Sequence, residues 1–226
     1  MAKPILPYGV LFDMDGVLVD SEEFIAKASI MMFAEKGLKV TRKDFEPFIG
    51  TGEDRFIGGV AEKYNFPLDI RTAKSRVYEI YLEIIKGKLK PLPGVYEFLK
   101  KCRDMGKKIA VASSADMIKV AGNLNEIGLS LKTFDTVVTA EDVKYKKPNP
   151  EIFLLAAKRL NLNPRDCLVI EDAVTGVAAA KAAGAKCLAI TSSFTKEQLK
   201  DADFFAKSLA NADPKVLDWS LLSFRT

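Results

Sequence analysis

Short apolar runs alternate with longer segments of helical periodicity along most of the chain. The apolar runs are rich in β-branched residues, apolar on both faces, and occupy residues 8–12, 108–112, 136–139, 167–170 and 186–190. Runs of this kind are typical of strands in a parallel sheet that helices cover on both faces. The helical segments between the later runs are residues 94–105, 116–127, 150–160 and 175–183. The alternation predicts an α/β fold with a doubly wound parallel sheet.

The connection between the first two predicted strands is much longer than one crossover helix requires. It contains four amphipathic segments without a strand signal, at residues 21–37, 41–48, 53–65 and 69–86. We therefore expect a core domain formed by residues 1–18 and 91–226, and an inserted all-helical domain at 19–90. The expected hinges are residues 17–20 and 88–93, because Pro91 and Pro93 stiffen the return segment. After residue 203 we expect a short strand and a last helix.

Composition and charge exclude several classes of protein. The chain has 226 residues, of which 48% are hydrophobic, and no apolar run approaches the length of a membrane span. Its 34 basic and 30 acidic residues are evenly spread, so nucleic acid is not an expected partner. The three cysteines are widely spaced and no export signal is visible, which favours a reducing cytoplasm. No heptad pattern is present, and we expect a monomer.

The chain contains no histidine. Hydrolases that use a Ser-His-Asp or Cys-His arrangement are therefore excluded, and so are enzymes whose zinc ion is bound by histidine. Acid–base chemistry in this protein must come from carboxylates, lysine, tyrosine or cysteine.

Polar side chains follow four of the predicted strands at the point where each strand ends. They are Asp13 and Asp15, Ser113 and Ser114, Lys146 and Lys147, and Glu171 and Asp172. Each pair alone is more consistent with an ordinary turn or a solvated charge than with a site. Because the carboxyl ends of parallel strands meet at one edge of a sheet, the set predicts a binding site there. Carboxylates suit Mg²⁺, and a hydroxyl with an ammonium suits a phosphate.

The sequence resembles the haloacid dehalogenase superfamily, and within it the β-phosphoglucomutase-like phosphatases that carry a helical cap. Four motifs support the resemblance and occur in the order of that family: DMDGVLVD at 13–20, VASS at 111–114, KKPNPEIF at 146–153 and VIEDAVTGVAAAKAAG at 169–184. The chain is also similar to domains of this family inside larger plant chloroplast proteins, notably at residues 117–131 and 50–53. The resemblance implies a Mg²⁺-dependent phosphatase that hydrolyses a small phosphorylated metabolite, with a sugar phosphate as the default.

The resemblance also implies the chemical steps. Asp13 would attack phosphorus and form an aspartyl-phosphate. Asp15 would protonate the leaving oxygen and then activate the water that hydrolyses the intermediate. An anionic nucleophile needs positive charge around the phosphate before it can approach, which is consistent with these roles.

The same resemblance implies the binding roles. The hydroxyl of Ser113 and the amide of Ser114 would hold phosphoryl oxygens, and Lys147, rather than Lys146, would neutralise charge between nucleophile and phosphate. The expected metal site consists of Asp13, the backbone carbonyl of Asp15, Asp172, and Glu171 as a ligand or as a neighbour that orients the ligands.

The insert is expected to select the substrate and to close over the site. Its best candidates lie in the loop at 48–55, namely Gly50, Thr51, Glu53 and Arg55. Sugar phosphomutases of this family carry a histidine where Ile25 stands here, and an arginine for a second phosphate in the register of Glu53. Both departures favour hydrolysis, with a β-phosphoglucomutase-like mutase as the alternative.

Three other functions are weaker alternatives. Dehalogenation is disfavoured because relatives with that activity use neither the second aspartate nor Mg²⁺. A receiver-type signalling domain is shorter, and its acidic pair precedes the phosphorylated aspartate. A non-catalytic scaffold would predict loss of the chemical residues, and all of them are present.

Overall fold

One sheet of six parallel strands runs through the part of the chain that the structure describes. The structure is a computed structural model and describes residues 9–48 and 52–218. The strands are β1 Gly9–Phe12, β2 Lys108–Ala112, β3 Thr136–Val138, β4 Cys167–Glu171, β5 Lys186–Ile190 and β6 Phe204–Ala206. Their order in the sheet is β3-β2-β1-β4-β5-β6, which confirms the predicted doubly wound parallel fold.

Eight α-helices accompany the strands within the described residues. They are α1 Glu22–Glu35, α2 Arg42–Phe45, α3 Glu53–Lys63, α4 Ile70–Ile84, α5 Val95–Asp104, α6 Met117–Glu126, α7 Glu151–Arg159 and α8 Val174–Ala182. Alternate residues of the strands point to opposite faces of the sheet. Val10 and Phe12 of β1 pack on the face that α5 and α6 cover, whereas Leu11 packs on the face of α7 and α8.

The segment from residue 19 to residue 90, here called the insert, contains α1 to α4 and no sheet strand within its described residues. Phe33, Phe45 and Phe56 pack together at the centre of the insert. Its two ends meet, because Val19 pairs with Pro91 and the amide of Leu92 donates a 2.9 Å hydrogen bond to Leu18. The division of the chain into two domains at these points stays a prediction.

Helix α4 also connects the insert to the sheet part of the molecule. The hydroxyl of Tyr81 in α4 donates a 2.5 Å hydrogen bond to Oδ1 of Asn123 in α6. Leu82 packs so closely on Gly122 of α6 that a Cβ there would lie 2.3 Å from it. The insert therefore lies against the sheet part rather than away from it.

The described part of the tail matches the sequence-based expectation in its strand but not in its helix, and residues 219–226 lie outside the described residues. The predicted strand forms as the edge strand β6, but no α-helix follows it within the described residues. Two 3-10 turns stand there instead, at Leu209–Asn211 and Pro214–Leu217. Pro214 has no amide hydrogen with which to continue the turn at Leu209–Asn211, and the Asp213 side chain accepts from the amide of Lys215 and starts a new turn. Among the described residues, no helix has the length and apolar character needed to cross a membrane.

Candidate active site

Asp13 lies directly after the central strand β1 and is almost completely buried. Its amide continues the strand pairing and donates a 2.9 Å hydrogen bond to the carbonyl of Ile170 in β4. Burial raises the pKa of the Asp13 carboxyl to about 7, although the ammonium of Lys147 acts in the opposite direction. The sheet therefore fixes a desolvated carboxylate at its carboxyl edge.

Lys147 reaches the same point from the segment between β3 and α7. Its Nζ lies 2.5 Å from Oδ1 of Asp13, 2.6 Å from Oε1 of Glu171 and 3.2 Å from the carbonyl of Ala112. Burial alone would lower the pKa of Lys147, but the two carboxylates outweigh burial and hold it above its ordinary value. The neighbouring Lys146 lies outside this group, and its ammonium is 3.4 Å from Asp54 of the insert.

Glu171 and Asp172 follow β4 and have different surroundings. Both oxygens of Glu171 are engaged, one by Lys147 and the other by the amides of Asp172 and Ala173 at 2.8 and 2.9 Å. Asp172 accepts a 2.5 Å hydrogen bond from Ser193. Burial, followed by the charges of Glu171 and Asp13, raises the pKa of Asp172 well above its ordinary value.

Two glycines make room for these carboxylates. A Cβ on Gly176 would lie 1.8 Å from Oε1 of Glu171, and one on Gly16 would lie 2.0 Å from Oδ2 of Asp172. Gly16 also adopts a φ of +79°, a conformation that side chains with a Cβ rarely accept. The backbone at these two glycines therefore packs directly against the carboxylates of Glu171 and Asp172.

The acidic group has the composition of a site for a hard cation. Asp13, Glu171 and Asp172 each present a carboxylate oxygen within 4.8 Å of the others, and all three residues are buried. Burial is the main cause of the raised pKa values of Asp13 and Asp172, and the neighbouring carboxylates add to it, while Lys147 acts in the opposite direction. An all-oxygen donor set is the kind that Mg²⁺ prefers.

Ser113 and Ser114 lie at the end of β2, beside Asp13. The amide of Ser113 donates a 3.0 Å hydrogen bond to Val138 of β3, which fixes the turn. Its Oγ accepts a 3.1 Å hydrogen bond from the amide of Ala115, so the hydroxyl hydrogen is available to a ligand. The arrangement supplies a hydroxyl donor at the strand edge, where both serines line the same cavity as Asp13.

Asp15 lies beyond Asp13 in the turn after β1, with its side chain 29% exposed. Ser21, at the start of the insert, donates a hydrogen bond to Oδ1. The ammonium of Lys119 in α6 lies 2.8 Å from Oδ2. Both carboxylate oxygens of Asp15 are thus held by donors.

A cavity of about 780 Å³ lies between the sheet edge and the insert. It is lined by predicted site residues from both parts, including Asp13, Asp15, Lys147 and, from the insert, Glu53. Arg55 does not line this cavity; its guanidinium pairs with Glu62 at 2.6 Å and lies over the ring of Phe48. The predicted residues Gly50 and Thr51 lie outside the described residues.

Three residues at the site were not found by sequence reasoning. Ser193 follows β5, and the strand-end argument extended to that strand would have indicated it. Lys119 lies on the buried face of α6 with Val120 and Asn123, so a charged residue in an apolar helical stripe was a usable signal. Ser21 carried no signal that distinguishes it from an ordinary residue before a helix.

Comparisons with known proteins agree with this geometry. A family profile for haloacid dehalogenase-like hydrolases matches residues 9–184. The Arabidopsis thaliana protein SUPPRESSOR OF QUENCHING 1, chloroplastic, is 48% identical over 199 residues, which cover 85% of this chain but 19% of that protein. The chain thus spans about a fifth of that relative.

Two further similarities cover most of both proteins. A phosphorylated carbohydrates phosphatase from Thermotoga maritima is 34% identical over 77% of this chain and 81% of its own length. The crystal structure of a β-phosphoglucomutase from Clostridium difficile superposes with a TM-score of 0.82 at 26% identity, covering 96% of this chain and 98% of that one.

Proposed function

The chain belongs to the haloacid dehalogenase-like hydrolase family and is a phosphoric monoester hydrolase, and we propose that it hydrolyses a small sugar phosphate through an aspartyl-phosphate on Asp13. One observation supports this proposal above the others. The buried carboxylate of Asp13 is fixed between Lys147 and two further carboxylates at the carboxyl edge of the sheet. Positive charge in this environment offsets the charge of a bound phosphate, so the anionic carboxylate can approach phosphorus.

Mg²⁺ is the proposed cofactor. Asp13, Asp172 and the backbone carbonyl of Asp15 would hold it, while Glu171, whose oxygens are both engaged, would orient Lys147 and the turn after β4. When bound, the ion neutralises the charge of the phosphate and of the carboxylates around it.

In the proposed first step, a carboxylate oxygen of Asp13 attacks phosphorus and the bond between phosphorus and the leaving oxygen breaks. Asp15 gives its proton to that oxygen, so the dephosphorylated product leaves as an alcohol. The hydroxyl of Ser113, the amide of Ser114 and the ammonium of Lys147 hold the phosphoryl oxygens in line with the attack.

In the proposed second step, Asp15 takes a proton from a water molecule as that water attacks phosphorus. The bond between phosphorus and Asp13 breaks, inorganic phosphate leaves, and Asp13 regains its carboxylate. Asp15 is protonated again and ready for the next substrate. The net reaction consumes one water for each phosphate ester.

The insert acts as a cap in this proposal. It covers the cavity, excludes bulk water and contacts the body of the substrate, that is, the part other than the transferred phosphate. On the insert side the cavity is lined by four carboxylates and one guanidinium: Asp20, Glu22, Glu46, Glu53 and Arg42. Arg42 is already paired, at 3.5 Å from Glu22 and 3.3 Å from Glu23. This excess of negative charge on the insert side of the cavity favours a substrate whose body is uncharged and rich in hydroxyl groups.

The charge of the insert also favours hydrolysis over the mutase alternative. A mutase must hold a second phosphate, which requires positive charge on the cap side of the cavity. Glu53 places a carboxylate there, and this carboxylate accepts a 3.2 Å hydrogen bond from the ammonium of Lys119. Ile25, which lines the same cavity, cannot take part in proton transfer.

Phosphorus NMR with Mg²⁺ and three sugar phosphates tests the proposal. Glucitol 6-phosphate and 6-phosphogluconate differ in body charge, and β-glucose 1-phosphate with a trace of the 1,6-bisphosphate tests for mutase activity. We expect inorganic phosphate, with kcat/KM for glucitol 6-phosphate at least about tenfold above that for 6-phosphogluconate. Glucose 6-phosphate without inorganic phosphate would instead identify a mutase.

A further inference from the structure

The hydroxyl of Ser193 holds one oxygen of Asp172, a member of the acidic group at the carboxyl edge of the sheet. Its Oγ donates a 2.5 Å hydrogen bond to Oδ2 of Asp172, a residue that is buried. Strand β5, which ends just before this segment, lies next to β4, whose end carries Asp172. The residues after β5 are Thr191, Ser192 and Ser193, so this strand end brings hydroxyl groups to the acidic group rather than carboxylates.

Two further hydrogen bonds fix the segment 191–193, here called the β5 loop. The amide of Thr191 donates a 2.8 Å hydrogen bond to the carbonyl of Ala206 in β6. The hydroxyl of Ser192 donates a 3.1 Å hydrogen bond to the carbonyl of Gly16, in the turn after β1. The β5 loop is therefore tied to the edge strand and to the turn after β1, and its third residue, Ser193, has a fixed position.

The two oxygens of Asp172 have different surroundings. Oδ2 accepts from Ser193 and is the oxygen nearer to Gly16, where an added Cβ would lie 2.0 Å from Oδ2 but 3.0 Å from Oδ1. Oδ1 accepts no hydrogen bond from the residues that the structure describes. The protein therefore occupies one oxygen of Asp172 and leaves the other to the acidic group.

The other carboxylates of the acidic group are restricted in the same way. Oδ1 of Asp13 is held by Lys147, whereas Oδ2 has no donor within the described part of the chain. Both oxygens of Glu171 are engaged, one by Lys147 and the other by two backbone amides. Asp13 and Asp172 thus each offer a single oxygen to a cation.

The number of oxygens that one carboxylate offers separates Mg²⁺ from Ca²⁺. Mg²⁺ requires near-ideal octahedral geometry and keeps several water molecules, so single carboxylate oxygens suit it. Ca²⁺ takes more oxygen ligands in a flexible arrangement and commonly binds both oxygens of one carboxylate. A hydroxyl fixed on Oδ2 of Asp172 opposes that second mode of binding.

We infer that Ser193 is a positioning residue of the proposed cation site, which restricts Asp172 to one coordinating oxygen and thereby favours Mg²⁺ over Ca²⁺. The inference rests on the proposed function, in which Asp172 is a ligand of Mg²⁺. Ser193 acts through Asp172 alone. Without its hydroxyl, the carboxylate of Asp172 is free to turn and offer both oxygens, which weakens the binding of Mg²⁺ more than that of Ca²⁺.

The test is the binding of metal ions to metal-free Ser193→Ala, which does not depend on turnover. Bound Mn²⁺ is followed by electron paramagnetic resonance, and its displacement by Mg²⁺ or by Ca²⁺ gives the Kd of each ion. We expect the Kd for Mg²⁺ to rise about tenfold, which is the size of effect that partners of metal ligands commonly have. The Kd for Ca²⁺ should change less than about threefold, because Ca²⁺ accepts either arrangement of the carboxylate.

Two variants separate the hydroxyl of Ser193 from the β5 loop as a whole. Thr191→Val is the matched control, because it removes a hydroxyl of the same loop that bonds instead to the carbonyl of Ala206 in β6. It should leave the ratio of the two Kd values unchanged. Ser193→Thr keeps the hydroxyl at an exposed position and should retain the wild-type ratio within about twofold.

The outcomes distinguish the inference from the proposed function. Equal losses of affinity for Mg²⁺ and Ca²⁺ in Ser193→Ala, no loss for either, or the same change of ratio in Thr191→Val would overturn the inference while the proposed function stands. Failure of Mg²⁺ to displace Mn²⁺ from the wild-type protein would contradict the proposed cation site itself, and the inference would fall with it.

Discussion

The ammonium of Lys147 lies 2.5 Å from Oδ1 of Asp13, although 134 positions of the chain separate the two residues. The sheet order explains the contact, because β1 lies at the centre and the segment after β3 returns to its carboxyl end. In the proposed reaction this pair brings a nucleophile and a compensating charge to one phosphate. We therefore expect that neither residue supports catalysis when the other is replaced.

Replacement of Lys147 by methionine should lower kcat by about 100-fold or more, because a buried electrostatic contact to the transferred group is lost. The matched control is Lys146→Met, which removes the adjacent, more exposed lysine and its 3.4 Å contact with Asp54. That variant should change kcat less than about fivefold. Steady-state kinetics on 4-nitrophenyl phosphate measures both, and a larger effect from Lys146→Met would reverse the assignment.

Ser113 and Ser114 are expected to differ although they are adjacent. Ser113→Ala removes a hydroxyl proposed to donate to the phosphate and should lower kcat/KM about 10- to 100-fold. Ser114→Ala keeps the amide that is proposed to bind and should have an effect within a few fold. The comparison is made by kinetics at several substrate concentrations. Equal losses in the two variants would mean that the Ser114 side chain also binds phosphate.

Asp44 in the insert should make stability depend on pH. Its carboxylate accepts hydrogen bonds from Lys63, the amide and hydroxyl of Thr41, and Tyr64, and these hold its pKa well below the ordinary value. A lowered pKa stabilises the folded state at pH values above the ordinary pKa of aspartate, and this contribution is lost as the pH falls toward the lowered one.

Thermal unfolding of Asp44→Asn should show a loss of about 1–3 kcal/mol near pH 7. The difference from wild type should shrink as the pH is lowered below about 4. Asp69→Asn is the comparison: the contact of Asp69 with Thr72 also lowers its pKa, but asparagine caps a helix equally well, so the loss near pH 7 should be smaller than that of Asp44→Asn. A difference for Asp44→Asn that is constant with pH would contradict the assigned contacts.

The sheet could be predicted because its strands are short, apolar on both faces and separated by regular helices. Strands β2 and β5 have the predicted bounds, and β4 extends the predicted run by Glu171. The strand-end argument then places Asp13, Lys147 and Asp172 near one another without any knowledge of distances. Because parallel strands all end at the same edge of the sheet, residues that are distant in the sequence come together there.

The contacts between the insert and the sheet part could not be predicted in the same way. Helix periodicity gives the buried face of α3 and α6 but not how two helical surfaces meet, so Glu53 and Arg55 were equal candidates. The structure directs Glu53 to Lys119 and Arg55 to Glu62. The triad of Asp15, Lys119 and Glu53 combines residues from three elements, and no local spacing encodes it.

The most direct test of the account is to locate the phosphoryl group on the protein during turnover. Wild-type protein is mixed with Mg²⁺ and radiolabelled glucitol 6-phosphate, quenched in acid within the first turnover, digested and mapped by mass spectrometry. The account predicts one acid-stable, hydroxylamine-sensitive label on Asp13, and none in Asp13→Asn. Release of inorganic phosphate by the wild type with no labelled peptide, or with a label on another residue, would contradict it.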